Sequence, residues 1–143
     1  MTRFRVIAPK DDTGDSAPAF QSAIDSGYAS GGGVAEVESG RYRFLSGITL
    51  REGVTLQGEG WSPASEYWSK LPGKGSWIHV AANSFVPISI EGNGASIKDL
   101  AFYHDQPPPG PGWGPISYPS TIFIGPTPGG GGSQDIAIEN VLL

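Results

Sequence analysis

Asp99 and Asp105 are side chains that could hydrolyse a glycosidic bond. Two carboxyl groups can act as acid and nucleophile, or as acid and base, at separations of about 5.5 Å or about 6.5–9.5 Å. Asp99 lies inside an apolar run and Asp105 just beyond it, so a bend residue and a solvated loop residue are the simpler account. His104 adjoins Asp105, which offers an imidazole base and an orienting carboxylate, but no nucleophile is marked beside them. His79 alternates with Ile78 and Val80 and so faces away from the side they share. It has no second His and no Cys nearby to complete a zinc site. Asp11, Asp12 and Asp15 could gather calcium, yet turn and cap roles explain them more simply. Gly58 and Gly60 lack the third Gly and the following helix of a dinucleotide fingerprint, and mark a turn. No catalytic residue, metal or cofactor is therefore assigned. Tyr67, Trp68, Trp113 and Tyr118 fall in irregular segments. Their rings could stack on sugars, anchor a subunit contact, or cover their own strands.

These residues need elements to position them, and the clearest lie between Gly47 and Trp61. Ile48–Leu50 and Val54–Leu56 are short strands in which apolar residues alternate with Thr49 and Thr55. Arg51, Glu52 and Gly53 separate them. Two three-residue strands make no core alone, so similar rungs must stack on them in a coiled sheet.

The chain has 143 residues, enough for one modest core. Gly and Pro together reach about a quarter of it, a range shared by low-complexity segments and by short strands joined through many tight turns. The strand pattern and aromatic content favour the second. The net charge of −5, with no Lys or Arg after Lys98, excludes a sequence-wide basic footprint for nucleic acid. The later surface suits a sugar or a protein better. Cys is absent, which excludes disulfides and thiolate metal sites. No apolar run is long enough for a signal peptide or membrane insertion.

A short opening strand is expected within residues 2–8. A helix should start near Asp15 or Ser16, either of which can cap it, with Pro18 tolerated in the first turn. Ala17, Phe20 or Gln21, Ile24 and Tyr28 share one side, and the Gly31–Gly33 run ends the helix. One helix of about ten residues is marginal in water, so it should cover the open end of the sheet. Further strands are expected at Val34–Val37, Tyr42–Leu45, Trp77–Val80 and Val86–Ile90, with loop insertions at 62–76 and 104–120. Pro107–Pro109 should be locally extended. Residues 96–102, SIKDLAF, then match residues 137–143, AIENVLL. Asp99 and Asn140 occupy equivalent places, where a side chain bonding to local backbone suits a bend. Val34 and Val54 are 20 residues apart, and Ile97 and Ile138 are 41 apart. That spacing predicts coils of about 20 residues, two of them in the longer interval, with Thr121–Ile124 in the intermediate one. The apolar last rung is expected to continue into further coils or to meet partner chains.

The features Asp11-Asp12-Thr13, Asp15-Ser16, Phe20-Gln21-Ser22-Ala23-Ile24, Gly31-Gly32-Gly33-Val34, Gly40-Arg41-Tyr42 and Gly53-Val54-Thr55-Leu56-Gln57-Gly58-Glu59-Gly60 follow in order. Together they resemble the N-terminal part of the pectate-lyase-like superfamily, in the branch of phage tailspikes, exopolysaccharide depolymerases and rhamnogalacturonase- or epimerase-like domains. The resemblance implies an all-β, right-handed, single-stranded parallel β-helix with an N-terminal α-helical cap. Residues 1–10 would be an arm, and 11–143 the cap and first coils. An opening Gly-Asp-Gly is missing, and catalytic carboxylates in such enzymes usually stand on later, central coils. The implied function is a structural and receptor-binding spike or fibre component of a phage-like particle. It would be a homotrimer on the virion surface, contacting spike-base subunits and host polysaccharide. The alternatives are a polysaccharide lyase or glycoside hydrolase, secreted or extracellular, and a non-catalytic adaptor that anchors the spike.

Overall fold

The computed structural model describes residues 2–62, 74–107 and 110–143. Its strands are β1 (Arg3–Arg5), β2 (Gly33–Glu36), β3 (Gly40–Phe44), β4 (Ile48–Leu50), β5 (Val54–Gln57), β6 (Ser76–Val80), β7 (Ile88–Ile90), β8 (Ser96–His104), β9 (Ile122–Ile124) and β10 (Ala137–Leu142). Among the described residues the one helix is α1 (Ala17–Ala29).

Every ladder between these strands is parallel, and the strands form three stacks. One runs β1–β2–β5, then the first half of β8, then β10. A second runs β3–β6 and the second half of β8. The third is β4–β7–β9. Thus β4 and β5 are not a hairpin: β5 pairs with β2 and β8, and β4 with β7. The coil length corrects the expectation. Ala137 pairs directly with Ser96, so the interval of 41 residues is one turn rather than two. The turn from Thr55 to Ser96 is equally long. In sequence, residues 62–76 lead from β5 into β6 and residues 104–120 from β8 towards β9, each inside one such turn.

The period of two sets the core. Ala35, Leu56 and Ile97 form one inward row, Tyr42, Ile78 and Phe102 a second, and Leu50 and Ile90 a third, all buried. Ile124 and Ile138 extend such rows into the last rung, where they are 49% and 42% exposed.

β8 serves two stacks because it bends in the middle. Asp99 sits at φ +57° and Asn140 below it at φ +51°, and the Asn140 amide donates to Asp99 Oδ1 at 2.8 Å. Asp and Asn are the non-glycine residues that best tolerate this left-handed conformation.

The helix covers the first coil with Ala17, Phe20, Ala23 and Ile24. Asp15 caps it. Its Oδ1 accepts the N–H groups of Ala17 and Leu45, both at 3.1 Å, and its Oδ2 accepts the Ser46 hydroxyl at 2.7 Å. Gln21 grips the backbone of Thr49 in both directions, at 2.8 and 3.0 Å. Tyr28 departs from the expected apolar face. It is half exposed, with the Arg51 guanidinium 3.7 Å above its ring, because Gly27 and not Tyr28 meets Val54 of the sheet at this turn.

Candidate functional site

The outward face of the β3–β6–β8 stack gathers most of the polar chemistry. Register places Arg43, His79 and Tyr103 in one row across the strands, and Arg41, Trp77 and Ala101 in the row beside it. The segment before the helix lies along β3: Arg41 N–H donates to Lys10 O, and Asp12 N–H to Arg41 O. Asp12, at φ +63°, thereby turns its carboxylate over the row.

His79 is held on both sides. Its Nδ1 lies 2.7 Å from Asp12 Oδ1 and its Nε2 lies 2.9 Å from Asp105 Oδ1. The two contacts fix the ring from both sides, whichever of its nitrogens carries the proton. The ring also stacks flat on Tyr103, with centroids 4.3 Å apart and planes 7° apart. The Tyr103 hydroxyl donates to Asp12 Oδ2 at 2.9 Å. Burial, and then this bond to Asp12, hold the phenol above its ordinary ionisation range, so Tyr103 donates a hydrogen bond and does not act as a base. The Trp77 ring meets the Tyr103 ring edge to face at 6.1 Å.

The side chains that the sequence offers for catalysis are not brought together. Asp99 belongs to the bend with Asn140. Asp105 is turned onto His79, and His104 takes the inward row below Phe44 and Val80. There the His104 ring meets Tyr118 edge to face at 4.8 Å, and its Nε2 lies 3.2 Å from the Thr121 hydroxyl. Asp12 and Asp105 bind opposite sides of one ring and cannot converge on a cation. Among the described residues no group of three His, Cys, Asp or Glu side chains could hold a metal ion. No helix among them is long and apolar enough to cross a membrane.

The aromatic candidates separate. Tyr118 packs against the core and donates to Asp105 O at 2.8 Å. Trp113 donates its indole N–H to Pro107 O at 2.9 Å and leaves its ring half exposed. Tyr67 and Trp68 lie outside the described residues, as do Pro108 and Pro109 of the expected extended run.

His104 makes the stability depend on pH. Burial pushes the His104 pKa below its ordinary value, and the nearby His79 pushes it further the same way. The folded state therefore binds fewer protons at His104 than the unfolded chain does. This stability is present above the ordinary histidine range and is lost as pH falls through it. The melting midpoint is expected to drop between about pH 7.5 and about pH 5.5. His104→Gln should flatten that drop. An equal drop in the variant would place the sensitivity elsewhere.

The stacks define an all-β protein of parallel strands closed at one end by a helix. No protein-family model matches the chain, and no curated protein does. Two solved structures of Azotobacter vinelandii share the fold. The A-module of mannuronan C-5 epimerase AlgE4 superposes with a TM-score of 0.62 at 25% identity, over 94% of this chain and 35% of its own. The A-module of mannuronan C-5 epimerase AlgE6 gives 0.63 at 23% identity, over 96% of this chain and 36% of its own. Both modules have a parallel β-helix fold, which supports the pectate-lyase-like superfamily for this chain. The chain spans about a third of the length of either neighbour.

Proposed function

We propose that this chain is the helix-capped opening of a right-handed parallel β-helix that recognises an extended polysaccharide, with uronans as the first class to test. The observation that carries the reading is likeness over nearly the whole chain to two modules whose names give mannuronan as what they act on. The stacked parallel strands support it physically, because they repeat polar side chains along a rigid face. Glu36, Gln57, Lys98 and Glu139 form one such outward row. The proposal is recognition, and it assigns no catalytic residue.

A second reading sets the same recognition on a homo-oligomeric spike of a phage-like particle. Its specific support is half-exposed Trp113 with Ile116 on the 104–120 insertion, apolar side chains outside the core that can meet another chain.

Thermal melting with mannuronate, galacturonate and neutral oligosaccharides tests the first reading. A bound saccharide at a hundred times its Kd adds about 2.7 kcal/mol to stability, so the midpoint should rise with at least one class. No rise with any class would end it. Light scattering on the same sample tests the second reading, and a monomer at all concentrations would sink it.

A further inference from the structure

The chain has five arginines, and three of them are paired: Arg3 with Glu36, Arg5 with Glu38 and Arg51 with Asp25. Arg41 and Arg43 differ. Neither has a carboxylate within ion-pair reach among the described residues. They stand two apart on β3, so both project from its outward face, while Tyr42 and Phe44 go into the core. Arg43 Nε is shut off from solvent and has no hydrogen-bond partner. That nitrogen is out of a ligand's reach, so the donors left open to one are the Nη groups of Arg43, which no described protein group binds.

The surroundings say what that ligand is. Of the acids along β3, Asp12 and Asp105 are committed to His79 and Asp12 also to Tyr103, Asp15 holds Ala17, Leu45 and Ser46, and Asp11 accepts from the Thr13 hydroxyl. Trp77 is buried and Tyr103 half buried, so rings close one flank and water screens the charges less there. A planar carboxylate fits the guanidinium fork through two parallel bonds. A dianion would meet stronger repulsion from Asp12 and Asp105 than a singly charged group does.

We propose that Arg41 and Arg43, on the outward face of β3 beside Trp77 and Tyr103, bind the carboxylate of a uronic-acid-bearing saccharide. The ligand class rests on the polysaccharide reading above; the site itself rests on the unpaired arginines.

Calorimetric titration of the full chain at physiological ionic strength tests this, with short mannuronate oligomers, matched neutral mannose oligomers and inorganic phosphate as probes. Mannuronate is expected to bind, and Arg43→Met and Arg41→Met should each raise its Kd at least about tenfold. Arg43→Lys should recover part of the loss, because it restores charge without the fork. Arg43→Met should melt no lower than the wild type, since it removes the orphaned donor, whereas a purely structural arginine would lower the midpoint. If Arg43→Met fails to fold, Arg41→Met, at an exposed position, decides. Mannuronate binding unchanged in both Met variants overturns the site and leaves the polysaccharide reading standing. Failure of every saccharide to bind the wild type overturns both. Phosphate binding as tightly, with the same losses, reduces the site to a general anion site and overturns the uronate assignment.

Discussion

Phe20→Ala is expected to lower the unfolding free energy by about 3–5 kcal/mol, the range for deleting a buried aromatic ring. Phe20 is fully buried. Its ring meets Tyr42 at 5.3 Å and Phe44 at 4.9 Å, both edge to face. It is the one aromatic side chain of α1 that enters the core of the first coil, since Tyr28 lies outside on the surface. Removing it leaves a hole at the junction of cap and sheet. The 13-residue helix cannot compensate, because a helix of that length holds little structure without packing. A domain of this size has about 5–15 kcal/mol in all, so the loss should be plain in a urea titration as a lower midpoint with an unchanged slope. Ser26→Ala, on the same helix but facing solvent, should stay within about 0.5 kcal/mol. A Phe20 variant as stable as the Ser26 variant would mean that the helix does not close the sheet.

Much of this architecture is legible in the sequence because it is local. Alternation within ITL and VTL gives strands with one buried side, and matched heptads at 96–102 and 137–143 give stacked rungs with Asp99 and Asn140 at the bends. The turn length is less legible: spacing alone does not distinguish two short coils from one coil that carries an insertion. Tyr28 shows a similar limit, since three- and four-residue spacing from Ile24 admits both Gly27 and Tyr28, and it is Gly27 that packs on the sheet. The candidate site is legible only in part. Alternation turns His79 outward, but its partners lie 67 and 26 residues away in sequence and reach it only through the stacking of one coil on another. Adjacency instead suggests His104 with Asp105, and the strand's alternation breaks that pair by sending His104 inward. Arg41 and Arg43 stand in the Gly-Arg-Tyr turn region, where the pattern speaks for fold and is silent on ligands.

Gly58→Ala is expected to destabilise by about 2–3 kcal/mol, near the top of the usual overpacking range. The reason is space. A Cβ at Gly58 would lie 2.3 Å from the Asp99 carbonyl oxygen and 2.8 Å from Leu100 Cδ2 and Ser76 Cβ. The carbonyl cannot yield cheaply: it accepts the Gly60 N–H at 3.1 Å, while Gly58 N–H itself donates to Lys98 O at 3.0 Å. Leu100 is fully buried and has no room to swing away. Relief must come from parting β5 from β8, the ladder that carries the first stack into the bend at Asp99. Hydrogen exchange should then quicken at Val54–Gln57 and Ser96–Asp99 together, rather than at one residue. Gly60 supplies the contrast. It sits at φ +89° with nothing within 4 Å of its missing Cβ, so Gly60→Ala meets conformational strain alone, at about 1–2 kcal/mol. Gly60→Asn should recover part of that loss, because Asn tolerates left-handed backbone, whereas Gly58→Asn should be worse than Gly58→Ala. Equal rescue by Asn at both sites would mean that backbone conformation, and not the close approach of two coils, holds Gly58.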